Sequence, residues 1–138
     1  RQNGLALQFA GDELTRQRDV VIVAVKENGL ALQFASQDLR KDREIVSLAV
    51  WENGHSLQFA AKDMRRDPDF ILPVVRRWAF GLQFAGENLK AEQHVVLVAV
   101  SKDGRAFEYA ASELRASFQV ALAAVRKDVR AMAFAALE

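Results

Sequence analysis

The chain has no cysteine, which removes disulfides, thiolate metal sites and a cysteine nucleophile together. Histidine is nearly absent as well, with only His55 and His94. Neither has a second histidine one helical turn away, the spacing at which two imidazoles share a metal ion. A Ser–His–carboxylate triad would have to be built on one of these two rings. Both slots hold other residue types elsewhere in the chain, so surface positions are the expectation for both. Long apolar runs are missing too. None exceeds seven residues, and runs such as Val20 to Val25 and Phe70 to Val75 have six, where a membrane-spanning helix needs about 20. Charge of one sign is lacking: the net charge is +1, so no global field draws the protein onto nucleic acid or anionic lipid. No signal or transit peptide is visible. The chain starts at Arg1, inside a repeat, so an organellar targeting segment would lie outside it and the compartment stays open.

What is there is a folding composition and a period. Half of the residues are hydrophobic (51%) and 27% are charged, as in ordinary folded proteins. The length of 138 residues suits one compact domain or one short repeat array. The string LQFA stands at Leu7–Ala10, Leu32–Ala35, Leu57–Ala60 and Leu82–Ala85, with variants FEYA at Phe107–Ala110 and MAFA at Met132–Ala135. Every interval is 25 residues, and a fixed period of this size signals a repeat architecture. Asn3-Gly4, Asn28-Gly29, Asn53-Gly54 and Asp103-Gly104 share one slot; Ala24, Ala49, Ala99 and Ala124 share another. Small residues at fixed slots let backbones approach closely.

An apolar run, Asn-Gly and a second apolar run could also form a β-hairpin. Helices are expected instead. Asp67-Pro68 reads as an N-cap with proline at the first helical position, where its missing N–H costs nothing. Asp42 and Glu92 occupy the same cap slot, and Asp19, Glu44 and Asp69 put negative charge in the first turn, favourable to the helix dipole. Glycine after the run suits a helix C′ residue. The expectation is an all-α fold, an α-solenoid of about five and a half helix-turn-helix repeats of 25 residues. Residues 1–138 form a single array, either part of a longer chain or covered at its ends by partners, because one helix pair cannot bury its own apolar face.

From Asp42 to Asp67 the chain reads DREIVSLAVWENGHSLQFAAKDMRRD. This segment, and with it essentially the whole chain, resembles the tandem-repeat family catalogued as domain of unknown function 4116. The resemblance implies an all-helical array. Such arrays are numerous in protist and algal proteins and occur in some bacterial effectors, with no activity assigned. The fifth and sixth copies depart from the pattern at Glu108, Ala133 and Val129.

Little else carries chemistry. The carboxylates recur at cap slots, where local helix chemistry accounts for them, and the glycines are spaced singly rather than clustered into a phosphate-cradling loop. The Gln8, Gln33, Gln58 and Gln83 ladder is expected to make structural hydrogen bonds. The column Phe9, Phe34, Phe59, Phe84, Tyr109 and Phe134 is expected to be core. No enzyme, cofactor or metal is indicated.

Individual function should reside where the repeats disagree. Pro73 falls inside a helix, where it should kink or shorten it; Trp78-Ala79 replaces Asn-Gly, and Phe80 follows. Arg65, Arg66, Arg76 and Arg77 put four cations around this third unit. Trp51 and Phe118 stand in slots that are otherwise polar, charged or proline. Aromatics beside arginines match the composition of protein–protein hot spots, so these eight residues are the candidate partner-binding set. The function expected is a non-catalytic scaffold or linker that binds other protein subunits, and the resemblance extends this to an accessory subunit of an organellar or photosynthetic complex. Nucleic acid or another anion at the basic third unit is the alternative, though not the leading partner. A module of a larger protein or effector is another.

Overall fold

A computed structural model describes Ala6 and residues 11–136. The first LQFA copy, with Asn3-Gly4 and Gln8, lies outside the described residues. Among the described residues the structure is helical throughout, with no strand. The chain divides into two compact units, Arg1–Met64 and Arg65–Glu138.

Five ten-residue helices recur in step with the sequence period: α1 (Arg18–Glu27), α2 (Arg43–Glu52), α3 (Pro68–Arg77), α4 (Gln93–Lys102) and α5 (Phe118–Lys127). The caps act largely as the sequence predicts. Asp42 accepts from the N–H groups of Glu44 and Ile45, Asp67 accepts from Asp69 with Pro68 at the helix start, and Ser117 accepts from Val120. Gln17 and Glu92 hold the cap position without a side-chain bond. Helix α3 keeps its full ten residues despite Pro73, so the expected shortening does not occur. Pro73 lies on the exposed side, where the carbonyl it leaves unpaired can be solvated.

The LQFA segments are 3-10 helices, a correction to the generic second helix expected. They span Gly29–Phe34, Gly54–Phe59, Ala79–Phe84, Gly104–Tyr109 and Val129–Phe134. Three residues per turn give a three-sided rod. In the first of these, Gly29 and Leu32 share a buried side, Ala31 and half-buried Phe34 share the second, and Leu30 and Gln33 face outward. The Gln33 side chain then donates to the Leu30 carbonyl one turn back at 3.1 Å, and Gln58 donates to His55 in the same way at 3.0 Å. The glutamines thus brace their own helix.

The Asn-Gly punctuation also works differently from expectation. No described glycine has positive φ, so no left-handed helix cap is present. Asn28 is extended (φ −151°, ψ 110°) and closes α1 through its N–H to Ala24, while its side chain caps the next helix by accepting from Leu30. Asn53, Asp103 and Asp128 do the same. Gly29 is small because the following repeat lies against it: an added Cβ would stand 2.3 Å from the Ala49 carbonyl oxygen. At Gly104 a Cβ would stand 2.3 Å from the Ala124 carbonyl oxygen.

In the first unit α1 packs on α2, and Gly29–Phe34 packs on Gly54–Phe59. Arg18 at the start of α1 bonds Asp42 at 2.8 Å and also Glu44 at the start of α2; the Ser36 N–H donates to the Thr15 carbonyl and that of Ala61 to Arg40. In the second unit α4 packs between α3 and α5. Gly86, Ala111 and Ala136 donate to Arg65, Lys90 and Arg115, and the Gln93 amide donates to Gln119 across the helix starts. Within each unit, neighbouring long helices therefore run parallel in a fixed register.

The core falls on one side of each long helix and on the first LQFA position. Leu32, Leu57, Leu82 and Phe107 are all 0% exposed. The aromatic column is only half-buried at Phe34, Phe59, Phe84, Tyr109 and Phe134, so the deepest layer is the leucine slot rather than the rings. Each motif alanine from Ala35 to Ala110 is buried.

Candidate interaction surface

Trp51 belongs to the first unit, at the end of α2, and is 48% exposed. The other seven candidates belong to the second unit, and α3 divides its cations. A ten-residue helix is about 15 Å long. Arg66 is exposed just before its start, whereas Arg76 and Arg77 are exposed at its end. Arg65 is half-buried, its Nε enclosed without a hydrogen-bond partner. It fills the slot of Arg40, whose guanidinium donates to the carbonyls of Ala35 at 3.0 Å and Gln33 at 2.7 Å. The four arginines do not make one patch.

Trp78 and Phe80 are half-buried and packed. Trp78 lies 6.1 Å from Phe84, ring centre to ring centre, and Phe80 meets Tyr109 edge to face at 6.2 Å. The Arg105 guanidinium sits 5.3 Å above the Phe80 ring, within cation–π range. Room for Trp78 comes from a set of linked replacements. Gly81 stands where other repeats have alanine or serine, and a Cβ there would lie 3.0 Å from Val74 Cγ1 and 3.3 Å from the Trp78 ring. Val74 in turn fills the slot of Ala24, Ala49, Ala99 and Ala124. Trp78 offers no cap to the next helix, and its ψ of 95° departs from the 115° of Asp103.

Phe118 opens α5 and is 79% exposed. Sequence reasoning missed two apolar neighbours in this last repeat: Val129 is 72% and Met132 66% exposed. Met132 holds the slot in which Phe107 is fully buried, and Val129 the slot of Gly104. Residues in the Phe118 slot reach towards the following repeat, as Arg18 does to Asp42 and Gln93 to Gln119. Phe118, Val129 and Met132 thus mark the side that a following repeat covers elsewhere. The repeat comparison marks Val129 as a departure from the glycine of its slot, but carries no signal of its exposure.

An ionic ladder runs along the starts of the last two 3-10 helices. Arg105 bonds Asp103 at 2.9 Å and approaches Asp128 at 3.9 Å, and Arg130 bonds Asp128 at 2.7 Å. The Arg130 bond and the Arg130 backbone N–H hold the Asp128 carboxyl down at about 2. Arg105 lowers Asp103 likewise, and burial pushes the Tyr109 phenol up. Both histidines are exposed. Among the described residues no three histidine or carboxylate side chains gather as a metal site, and no helix is long and apolar enough to cross a membrane.

No curated protein and no solved structure matches the chain. The model of one protein family does, four times in overlapping stretches, at residues 1–40, 17–65, 42–90 and 93–138. These matches run from the first residue to the last in step with the helical repeat, and the chain belongs to the family described as Domain of unknown function (DUF4116).

Proposed function

We propose that the chain is a non-catalytic helical-repeat scaffold, an accessory subunit that holds another protein against Phe118, Val129 and Met132. The observation that carries this is their exposure, 79%, 72% and 66%, on the side that inner repeats bury. Large apolar side chains exposed along one side of a protein are a mark of an interaction site. Trp51, 48% exposed, offers a second aromatic anchor of the kind that dominates hot spots. The exposed histidines and the carboxylates engaged in caps and ion pairs support a non-catalytic role.

The test is sedimentation of the tagged chain in extract from its source, compared with a Phe118→Asp/Met132→Asp variant. The wild type should travel in a larger assembly and the variant as a monomer of unchanged fold. A wild type that sediments alone, or a variant that stays in the assembly, refutes the proposal.

A further inference from the structure

Each long helix ends in two residues just before its capping Asn, Asp or Trp. In the first unit these are Lys26-Glu27 and Trp51-Glu52; in the second they are Arg76-Arg77, Ser101-Lys102 and Arg126-Lys127. The helix dipole favours cations at every helix end, yet α1 and α2 carry glutamates there. The dipole alone therefore does not explain five cations in the second unit. All five are exposed. Helices α3, α4 and α5 pack in parallel, so their ends form one edge, spaced ~8–10 Å apart and on the order of 20 Å across. Arg105 and Arg130 are nearby but are neutralised by Asp103 and Asp128, and Arg77 is engaged in an interaction of its own. Half-buried Trp78 and Phe80 continue the chain directly from Arg77.

From this edge we infer that the second unit binds single-stranded nucleic acid, with Arg76, Lys102, Arg126 and Lys127 on the phosphates and the exposed part of the half-buried Phe80 ring against a base. A cationic track beside aromatic rings is how single strands are held without reading sequence. An acidic peptide is the competing polyanion. Peptides, however, are gripped by an added strand, a helix groove or an aromatic-lined trough, and an edge of helix ends has no strand to extend. The cationic edge ends at Lys127, two residues before Val129 of the proposed partner surface, but its charge chemistry does not rest on that apolar surface.

The experiment is fluorescence anisotropy of a labelled oligothymidylate of about 20 nucleotides with the full chain, from roughly 50 to 200 mM salt. Four phosphate contacts give a log–log slope of about −2.8 for a single strand. A Lys102→Gln/Arg126→Gln/Lys127→Gln variant removes three, so the slope should fall to about −0.7 and affinity at low salt should drop at least about tenfold. Arg66→Gln, at the far end of α3, should leave the slope unchanged. Thermal melts report that each variant is folded, which exposed sites make straightforward. A flat salt dependence, an unchanged slope in the triple variant, or equal competition by a polyglutamate peptide of matched charge overturns the inference.

Discussion

Two neighbouring repeats of the second unit solve one packing problem with different residues. Around α4 the solution uses Ala99, Asp103, Gly104 and Ala106; around α3 the corresponding residues are Val74, Trp78, Ala79 and Gly81. The first set keeps the cap and leaves space at glycine for the Ala124 carbonyl. The second set gives up the cap and fills the space with an indole, taking a methyl away at Gly81 to admit it. Both long helices still span ten residues, and both 3-10 helices six. The register therefore depends neither on any one of these four residues nor on their summed volume, which is larger in the second set.

The sharpest way to test this comparison is at the leucine slot. Phe107→Ala should destabilise the chain by ~3–5 kcal/mol, because the ring is 0% exposed. Met132→Ala in the same slot should change stability by less than about 0.5 kcal/mol. Urea titrations of the two variants check it, and similar losses would mean that slot, not coverage, sets the energy.

Gly104→Val should come next, at about 2–3 kcal/mol, since the new Cβ meets a backbone oxygen that a helix cannot readily withdraw. Valine already occupies this slot at Val129, where no repeat among the described residues packs over it. A neutral Gly104→Val would break the close-approach explanation.

Within the exchanged repeat, Gly81→Ala should cost about 1–2 kcal/mol. Val74→Ala should recover part of that loss, with a coupling of about 1 kcal/mol in the double-mutant cycle. Additive losses would show that the two replacements are independent.

The smallest effect expected is in acid. The Asp128 carboxyl is lowered from 3.8 to about 2 by Arg130. A depressed carboxyl stabilises the fold above its unfolded value and loses that contribution as pH falls through the folded one. Asp128→Asn should therefore flatten the stability profile between roughly pH 4 and pH 2 while leaving its shape near pH 7 unchanged, measured by chemical denaturation at each pH.

Much of this was legible without coordinates. The period, the capping aspartates and Pro68 are local signals, and they recover the helices because hydrogen bonds and dipoles act over one or two turns. The three-residue spacing of Gly29 to Leu32 and of Ala31 to Phe34 was present too. It went unused because 3-10 runs longer than three or four residues are uncommon. The arginine grouping misled for a different reason: residues adjacent in sequence to a ten-residue helix lie at its opposite ends. Lys102, Arg126 and Lys127 belong with Arg76 and Arg77 only once α3, α4 and α5 lie side by side.

By itself, then, the sequence determined the all-α repeat, its 25-residue step and the residues that start each helix. Tertiary structure decided what each slot is for. It buried Leu82 and Phe107 fully while leaving the aromatic column half-exposed, made Gly29 and Gly104 sites of contact instead of turns, and left Val129 and Met132 exposed. The physical reason is that capping is settled within a few residues of the cap. Burial depends on a surface supplied by the next repeat, a full period away along the chain.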